Sequence, residues 1–406
     1  MFGCAYWVIQ GLHLENVNNI NQGGDRDAIM VFKGNVDHLT IKHNLIAKTN
    51  QAGTSNTNYM NQHVILLQGN NSLIEENEIY WVHRHGIILT NSSGNTVRRN
   101  YANSRRCSPT GCNKVFATSN ICAVACDKGD SAFIMYTGAS ATNNVFENNI
   151  SEGNGTVLFF NGHFTNNNAN QALDNISLND DYGLQVEEGR QEGTSGGIVS
   201  NALVQDHVVI NPGKNGFPIG NASISIDRLT VLNAGGSGTG GLGFSASTTG
   251  STCGSGCSYT FTGRNLLVIG STRSGIRVDN TITNWSLTRV NAFNNSPNYN
   301  APSIDQCANC VAHTQINPLL GSCKVRIPRR TPLFEAGVDG LDIGARAVHQ
   351  YVNGALAETP LWDASNSYKF VGCRATVTGL NGHSGDSCFD VQMRLSVGPA
   401  HGCDPY

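Results

Sequence analysis

A short apolar segment ending in asparagine recurs along this chain, and no other feature narrows the fold so far. It reads Ile41-Lys42-His43-Asn44, Ile74-Glu75-Glu76-Asn77, Val97-Arg98-Arg99-Asn100, Val145-Phe146-Glu147-Asn148 and Ala172-Leu173-Asp174-Asn175. The Asn-to-Asn steps are 33, 23, 48 and 27 residues. That set fits a basic period in the low twenties, interrupted by loop insertions of varying length. A second series runs through Val209-Ile210-Asn211, Val231-Leu232-Asn233, Val268-Ile269-Gly270 and Arg289-Val290-Asn291, with steps of 22, 37 and 21.

A unit this short holds two or three strands and cannot bury an apolar face alone. Stacking successive units buries a continuous core and pairs each strand with those above and below. Each coil then rises by one strand spacing, ~4.8 Å, and equivalent positions form columns along the stack. Asn at the recurring turn bonds to neighbouring backbone and tolerates the left-handed conformation, so these residues are read as structural. Composition agrees: 49 of the 406 residues are Asn and 46 are Gly, while only 14% are charged. With 26 basic against 29 acidic side chains, the chain lacks the basic excess of a general nucleic-acid binder. No apolar run of ~18 residues suggests a membrane-spanning helix.

The stretch His85-Gly86-Ile87-Ile88-Leu89-Thr90-Asn91-Ser92-Ser93-Gly94-Asn95-Thr96-Val97-Arg98-Arg99-Asn100 resembles the repeat of right-handed parallel β-helix proteins, the pectate-lyase-like superfold. The resemblance covers roughly residues 5 to 300, and Tyr6-Trp7-Val8-Ile9-Gln10-Gly11-Leu12 is similar to an early coil. It implies an all-β solenoid over 1–315 with loop insertions at 103–130, 180–196 and 234–258. After about residue 315 the character changes, and only four Asn lie in 317–406. The run Cys323 to Ala345 resembles the closing segment of exported β-helix proteins, which caps the last coil; the tail reads as a small disulfide-rich extension. The superfold hosts lyases, hydrolases, esterases, epimerases and structural fibres, so the resemblance implies a fold and leaves activity open.

Thirteen cysteines point to an oxidising compartment. Cys107 with Cys112, Cys122 with Cys126, and Cys253 with Cys257 close short loops of small residues and are the expected disulfides. Zinc is the weaker reading, because the single C-x-x-C runs from Cys307 to Cys310. The odd count leaves one thiol over, with Cys4 the obvious candidate. Secretion is therefore expected. The front end carries no basic-then-apolar leader, so the reading is of a mature, trimmed or incomplete start.

Motifs for named enzymes fail: there is no P-loop, GxSxG elbow or HExxH. What remains is an ionisable group near the front. Asp25 and Asp27 precede the strand from Ala28, His63 precedes Val64 to Leu67, and His83-Arg84-His85 precedes Gly86 to Leu89. Aligning the apolar residues puts Asp27, His63 and His85 in one column beside Trp81. The expected reaction is elimination from an acidic, uronate polysaccharide. His63 or His85 would be the base, Arg84 the carboxylate partner, and Asp25 with Asp27 a calcium site. Trp81, Arg105, Arg106 and Lys128 would bind the substrate. Asp180, Asp181, Glu187 and Glu188 offer a second oxygen-rich place for calcium, although solvated loop charges suit them better. Arg98 and Arg99 are read as surface charges. Two other classes stay open: a glycoside hydrolase, for which no pair of acids stands out, and a non-enzymatic adhesin or filament subunit able to self-associate.

Overall fold

The computed structural model describes residues 5–15, 28–47, 63–80, 85–103, 107–108, 111–112, 131–136, 141–161, 167–187, 199–220, 222–236, 240–247, 260–279, 282, 284–300, 311–321, 324–346 and 349–360. Two large parallel sheets make up most of them, one of ten strands and one of 19, and no α-helix occurs among the described residues. The chain is a right-handed parallel β-helix.

Each coil contributes one strand to the ten-stranded sheet and then one to three to the larger sheet. The first sheet stacks Ala28–Asp37, His63–Asn70, His85–Leu89, Ser131–Tyr136, Thr156–Asn161 and Tyr182–Glu187 in sequence order, and continues to Tyr299–Asn300. In the early coils the second sheet receives two short strands, such as Leu73–Glu75 and Glu78–Tyr80. The coils of Ala141–Thr142 and Asn167–Asn168 add a third, and from Val199–Ile210 onward these fuse into one long strand. Period-two alternation sets the core. Ile65, Leu67, Ile87, Leu89, Phe133, Met135, Leu158 and Phe160 fill the interior from the first sheet, and Ile74, Ile79, Val97, Phe146, Val204 and Val268 meet them from the second. Leu66, Ile88 and Ile134 form a separate cluster on the other face of the first sheet.

The bend inside the second sheet is held by a left-handed residue in every coil: His43, Glu76, Arg99, Asn148, Asp174, Asp206, Arg228, Asn265 and Arg289, with φ between 47° and 58°. Two of the nine are Asn, two Asp and one His, the types that tolerate this conformation best, while at Glu76, Arg99, Arg228 and Arg289 the stack imposes it against the usual preference. Beside this column stands the asparagine ladder Asn44, Asn77, Asn100, Asn149 and Asn175. Each side-chain amide donates to the next ladder oxygen at 2.9–3.0 Å. The expected member Asn148 is one residue early. It occupies the left-handed column, and Asn149 continues the ladder, so the steps are 33, 23, 49 and 26. In the second series Asn211, Asn233 and Gly270 share another left-handed column, but its next member is Asn294 in place of Asn291.

The segment after 315 begins against the last coil, where Asn291 donates to the Ile316 carbonyl at 2.9 Å. It does not stop there. Ile327, Leu333 and Ile343 pack on Leu267. The chain then steps back along the flank of the second sheet, coil by coil. Val338 N–H donates to Asn265 Oδ1 (2.7 Å), Ala345 N–H to Thr230 Oγ1 (2.8 Å), Arg346 N–H to Asp206 Oδ1 (2.9 Å) and Tyr351 N–H to Asn148 Oδ1 (2.9 Å). An end cap was expected; the segment is also a lengthwise strap.

Candidate functional site

Of the residues expected to form a site, His63 and His85 are described, and strand register puts them side by side in one column. Their rings stack with centroids 5.0 Å apart and 7° between planes. The residue preceding them in the column is Ala28, and Ser131 follows His85. His63 has the parity of Ile65 and Leu67, and both rings are 2–3% exposed. They line the rim of the interior, which moves them away from any outer groove. Asp25, Asp27, Trp81, Arg84, Arg105, Arg106 and Lys128 lie outside the described residues. So do Cys122, Cys126, Cys253 and Cys257. Cys107 and Cys112 are described as direct cross-strand partners in a small antiparallel hairpin.

A different cluster of ionisable groups stands on the outward face of the second sheet. The ladder asparagines Asn77, Asn100 and Asn149 each lead into a three-residue strand: Glu78–Tyr80, Tyr101–Asn103 and Ile150–Glu152. The middle residue of each points inward, as Ile79 and Ala102 do. The flanking residues share the other face, with Glu78 opposite Tyr101, and Tyr80 and Glu152 on either side of Asn103. Tyr80 donates its hydroxyl to Glu78 Oε2 at 3.0 Å, and Tyr101 donates to Glu152 Oε2 at 2.7 Å. Asn103 Nδ2 reaches both the Tyr101 hydroxyl (2.6 Å) and Glu152 Oε2 (3.3 Å). The two phenol rings meet edge-on at 5.7 Å and join the halves.

Burial decides what this cluster can do. Glu78 is 1% exposed, and its Oε1 has no partner among the described residues. Loss of solvation pushes its carboxyl up to about 7, against a smaller downward pull from the Tyr80 hydrogen bond. Tyr80 is driven well above its ordinary range by burial and by the Glu78 charge, so it serves as a donor and not as a base. The arrangement is a carboxylic acid that keeps its proton near neutrality, two phenols, and a second carboxylate two strand spacings away, about 10 Å along the stack.

Other expected charges are committed elsewhere. Asp180 accepts from Ser151 Oγ (3.0 Å), Asn154 N–H (2.7 Å) and Ser177 Oγ (2.7 Å), and Asp181 faces Lys214 Nζ at 3.4 Å. Those bonds use the oxygens a calcium ion would need; the Glu187 side chain and Glu188 lie outside the described residues. Arg98 and Arg99 are not free surface charges. Arg98 Nε binds Glu75 Oε2 at 2.8 Å, Arg99 Nε binds Glu76 Oε1 at 2.8 Å, and Arg99 is 7% exposed. Among the described residues no group of three or more His, Cys, Asp or Glu is arranged to hold a metal, and no helix is long and apolar enough to cross a membrane.

No protein-family model matches the chain, and no curated protein matches it. Among solved structures it is similar to the Dettilon tailspike protein gp208, at 13% identity and a TM-score of 0.41, over 70% of this chain and 50% of that one. It is similar to XylC in complex with xylose, at 10% identity and a TM-score of 0.43, over 81% of this chain and 55% of that one. It is also similar to the periplasmic alginate epimerase AlgG, at 10% identity and a TM-score of 0.32, over 71% of this chain and 61% of that one. The chain thus spans only part, in two cases about half, of the structures it matches.

Proposed function

We propose that this β-helix is an exported protein that acts on a polysaccharide, with Glu78 as proton donor to the departing glycosidic oxygen. The observation that carries the reading is the buried Glu78 carboxyl, held protonated near neutral pH beside the Tyr80 hydroxyl. Cleaving a glycosidic bond needs an acid on the leaving oxygen at the pH where the enzyme works. Hydrolysis also needs a second carboxylate; a spacing of about 10 Å is too wide for a nucleophile and leaves the role of base on a bound water, for which Glu152 is the group available, steadied by Tyr101 and Asn103. This pair of acids, not evident in the sequence, favours hydrolysis over elimination.

Elimination from a uronate is the second reading, favoured by the same neutral carboxyl. A protonated acid next to a phenol can hydrogen-bond a uronate carboxylate, which that reaction must neutralise before the adjacent proton can leave. Calcium would assist there only through residues such as Asp25 and Asp27.

The test is to incubate the purified protein with neutral and uronate polysaccharides, following new reducing ends and the ultraviolet absorbance of unsaturated products. Glu78→Gln and Glu152→Gln should each abolish turnover while the variants stay folded. Reducing ends without unsaturation mean hydrolysis, and unsaturated products mean elimination. A wild-type protein inert on the whole panel would overturn the reading in favour of a non-enzymatic adhesin or filament subunit.

A further inference from the structure

We propose that the strap is a pH-released latch: its seat at Tyr351 holds while Asp174 is neutral and opens when Asp174 becomes charged beside Asp206. The geometry is a small closed circuit. Asp206 takes four donors: Arg228 Nε at 2.7 Å, Arg228 Nη2 at 2.9 Å, the Tyr351 hydroxyl at 2.8 Å and the Arg346 N–H at 2.9 Å. The third arm of Arg228 is already bound to Asp227 Oδ2 at 2.6 Å. The Arg228 guanidinium is therefore divided between two carboxylates, and its bonds go to Asp206 and Asp227, not to Asp174.

Asp174 occupies the same left-handed column between Asn148 and Asp206, fully buried. Its Oδ2 accepts from Asn148 Nδ2 at 3.1 Å, and its Oδ1 has no partner among the described residues. The same Asn148 amide uses its oxygen to receive the Tyr351 N–H. A change at Asp174 thus reaches the strap by two routes, through the Asn148 amide and through the phenol of Tyr351 on Asp206. The described titratable and charged groups around this point are Asp206, Arg228 and Tyr351, with Asp227 behind Arg228, Arg264 Nη2 on Asp227 Oδ2 at 3.0 Å, and Arg346 joined to Asp206 through its N–H. Glu147 sits one residue along from Asn148, where it binds the Asn353 and Gly354 amides at 2.9 and 2.8 Å.

Burial, reinforced by the Asp206 charge and only partly offset by Arg228, holds the Asp174 carboxyl well above its ordinary range. Because the docked form prefers the protonated acid, docking is strongest at low pH and is lost as pH rises through the folded-state value. A second negative charge in this enclosed place is only partly offset by Arg228, whose bonds are already taken by Asp206 and Asp227, and separating the strap lets water solvate it.

Hydrogen exchange of the whole chain between about pH 5 and pH 9, corrected for intrinsic rates, tests the latch. Protection at the Tyr351, Asn353 and Gly354 amides should fall at least about tenfold across that range, while the Val208 and Val231 amides, inside the sheet, should not change. Asp174→Asn should keep the strap protected throughout, and Asn already serves in this column at Asn148 and Asn265. Unchanged protection in the wild type, or an equal loss in Asp174→Asn, would overturn the proposal.

Discussion

Glu78 couples the chemistry of the candidate site to the stability of the fold. The unfolded chain releases this proton near 4.5 and the folded one near 7. Between those values the folded state binds more protons than the unfolded state, so stability falls as pH rises, by roughly 3 kcal/mol in total, and is flat above. Glu78→Gln removes the charge and so should flatten that slope. Denaturant unfolding at about pH 8 should show the variant more stable than the wild type, with the advantage gone near pH 4. His207 is a second buried weakness, of the opposite pH sense. It stands where the asparagine ladder would continue after Asn175, and neither ring nitrogen has a partner among the described residues. Burial pushes it down to about 3, so it stays neutral and unsatisfied. The next coils put Leu229 and Leu266 there. His207→Leu should stabilise the protein by about 1–3 kcal/mol, measured by urea unfolding.

At the scale of one coil, the ladder is the element that turns sequence into architecture. Asn100 accepts from the Asn77 backbone and side chain and donates to Asn149 and to the Ile74 carbonyl. Asn100→Ala should cost about 2–4 kcal/mol, because it leaves several buried partners unmade at once; a thermal midpoint lowered by only a degree or two would contradict this. The small hairpin makes a sharper forecast: with Cys107 opposite Cys112, non-reduced peptide mapping should find them joined to each other. The coil was legible in the sequence because each turn needs Asn and each strand alternates. The one-residue slip at Asn148 arose where two Asn adjoin, Asn148 and Asn149, and apolar spacing cannot choose between them. The histidine column was legible too, since the strands after His63 and His85 carry matching apolar runs. Which face those rings take was not read, because both sides of the first sheet are apolar here, with Leu66 and Ile88 outside and Ile65 and Ile87 within. The acid–phenol cluster was missed for another reason. Its members come from three coils, and the 103–130 insertion separates Tyr101 from Glu152 by 51 residues. The available signal was positional: polar residues at the first and third places after a ladder Asn, as in Asn77-Glu78 with Tyr80 and Asn100-Tyr101 with Asn103.

For the whole molecule, the strap changes how a stack of coils behaves. A plain solenoid is stabilised by nearest-neighbour contacts, and its ends can open without the middle. Here one segment touches the coils of Asn265, Thr230, Asp206 and Asn148, the last through Glu147 as well, and Arg98 Nη1 reaches Asn353 at 3.3 Å. A chain ending after Ile343 should therefore unfold over a broader range, with the coils from Arg98 to Arg228 losing exchange protection first; an unchanged single sharp transition would show that the strap adds no coupling. The same contacts restrict descent. Solenoids commonly grow and shrink by gaining or losing whole coils, since each new one repeats the last. Between Arg98 and Asn265 such an event would shift every later rung by about 4.8 Å, and the donors of a strap of fixed length would fall between their acceptors. Lineages carrying this strap should hold the number of coils in that interval constant, while varying it freely before Ile74 and lengthening loops anywhere the strap does not pass.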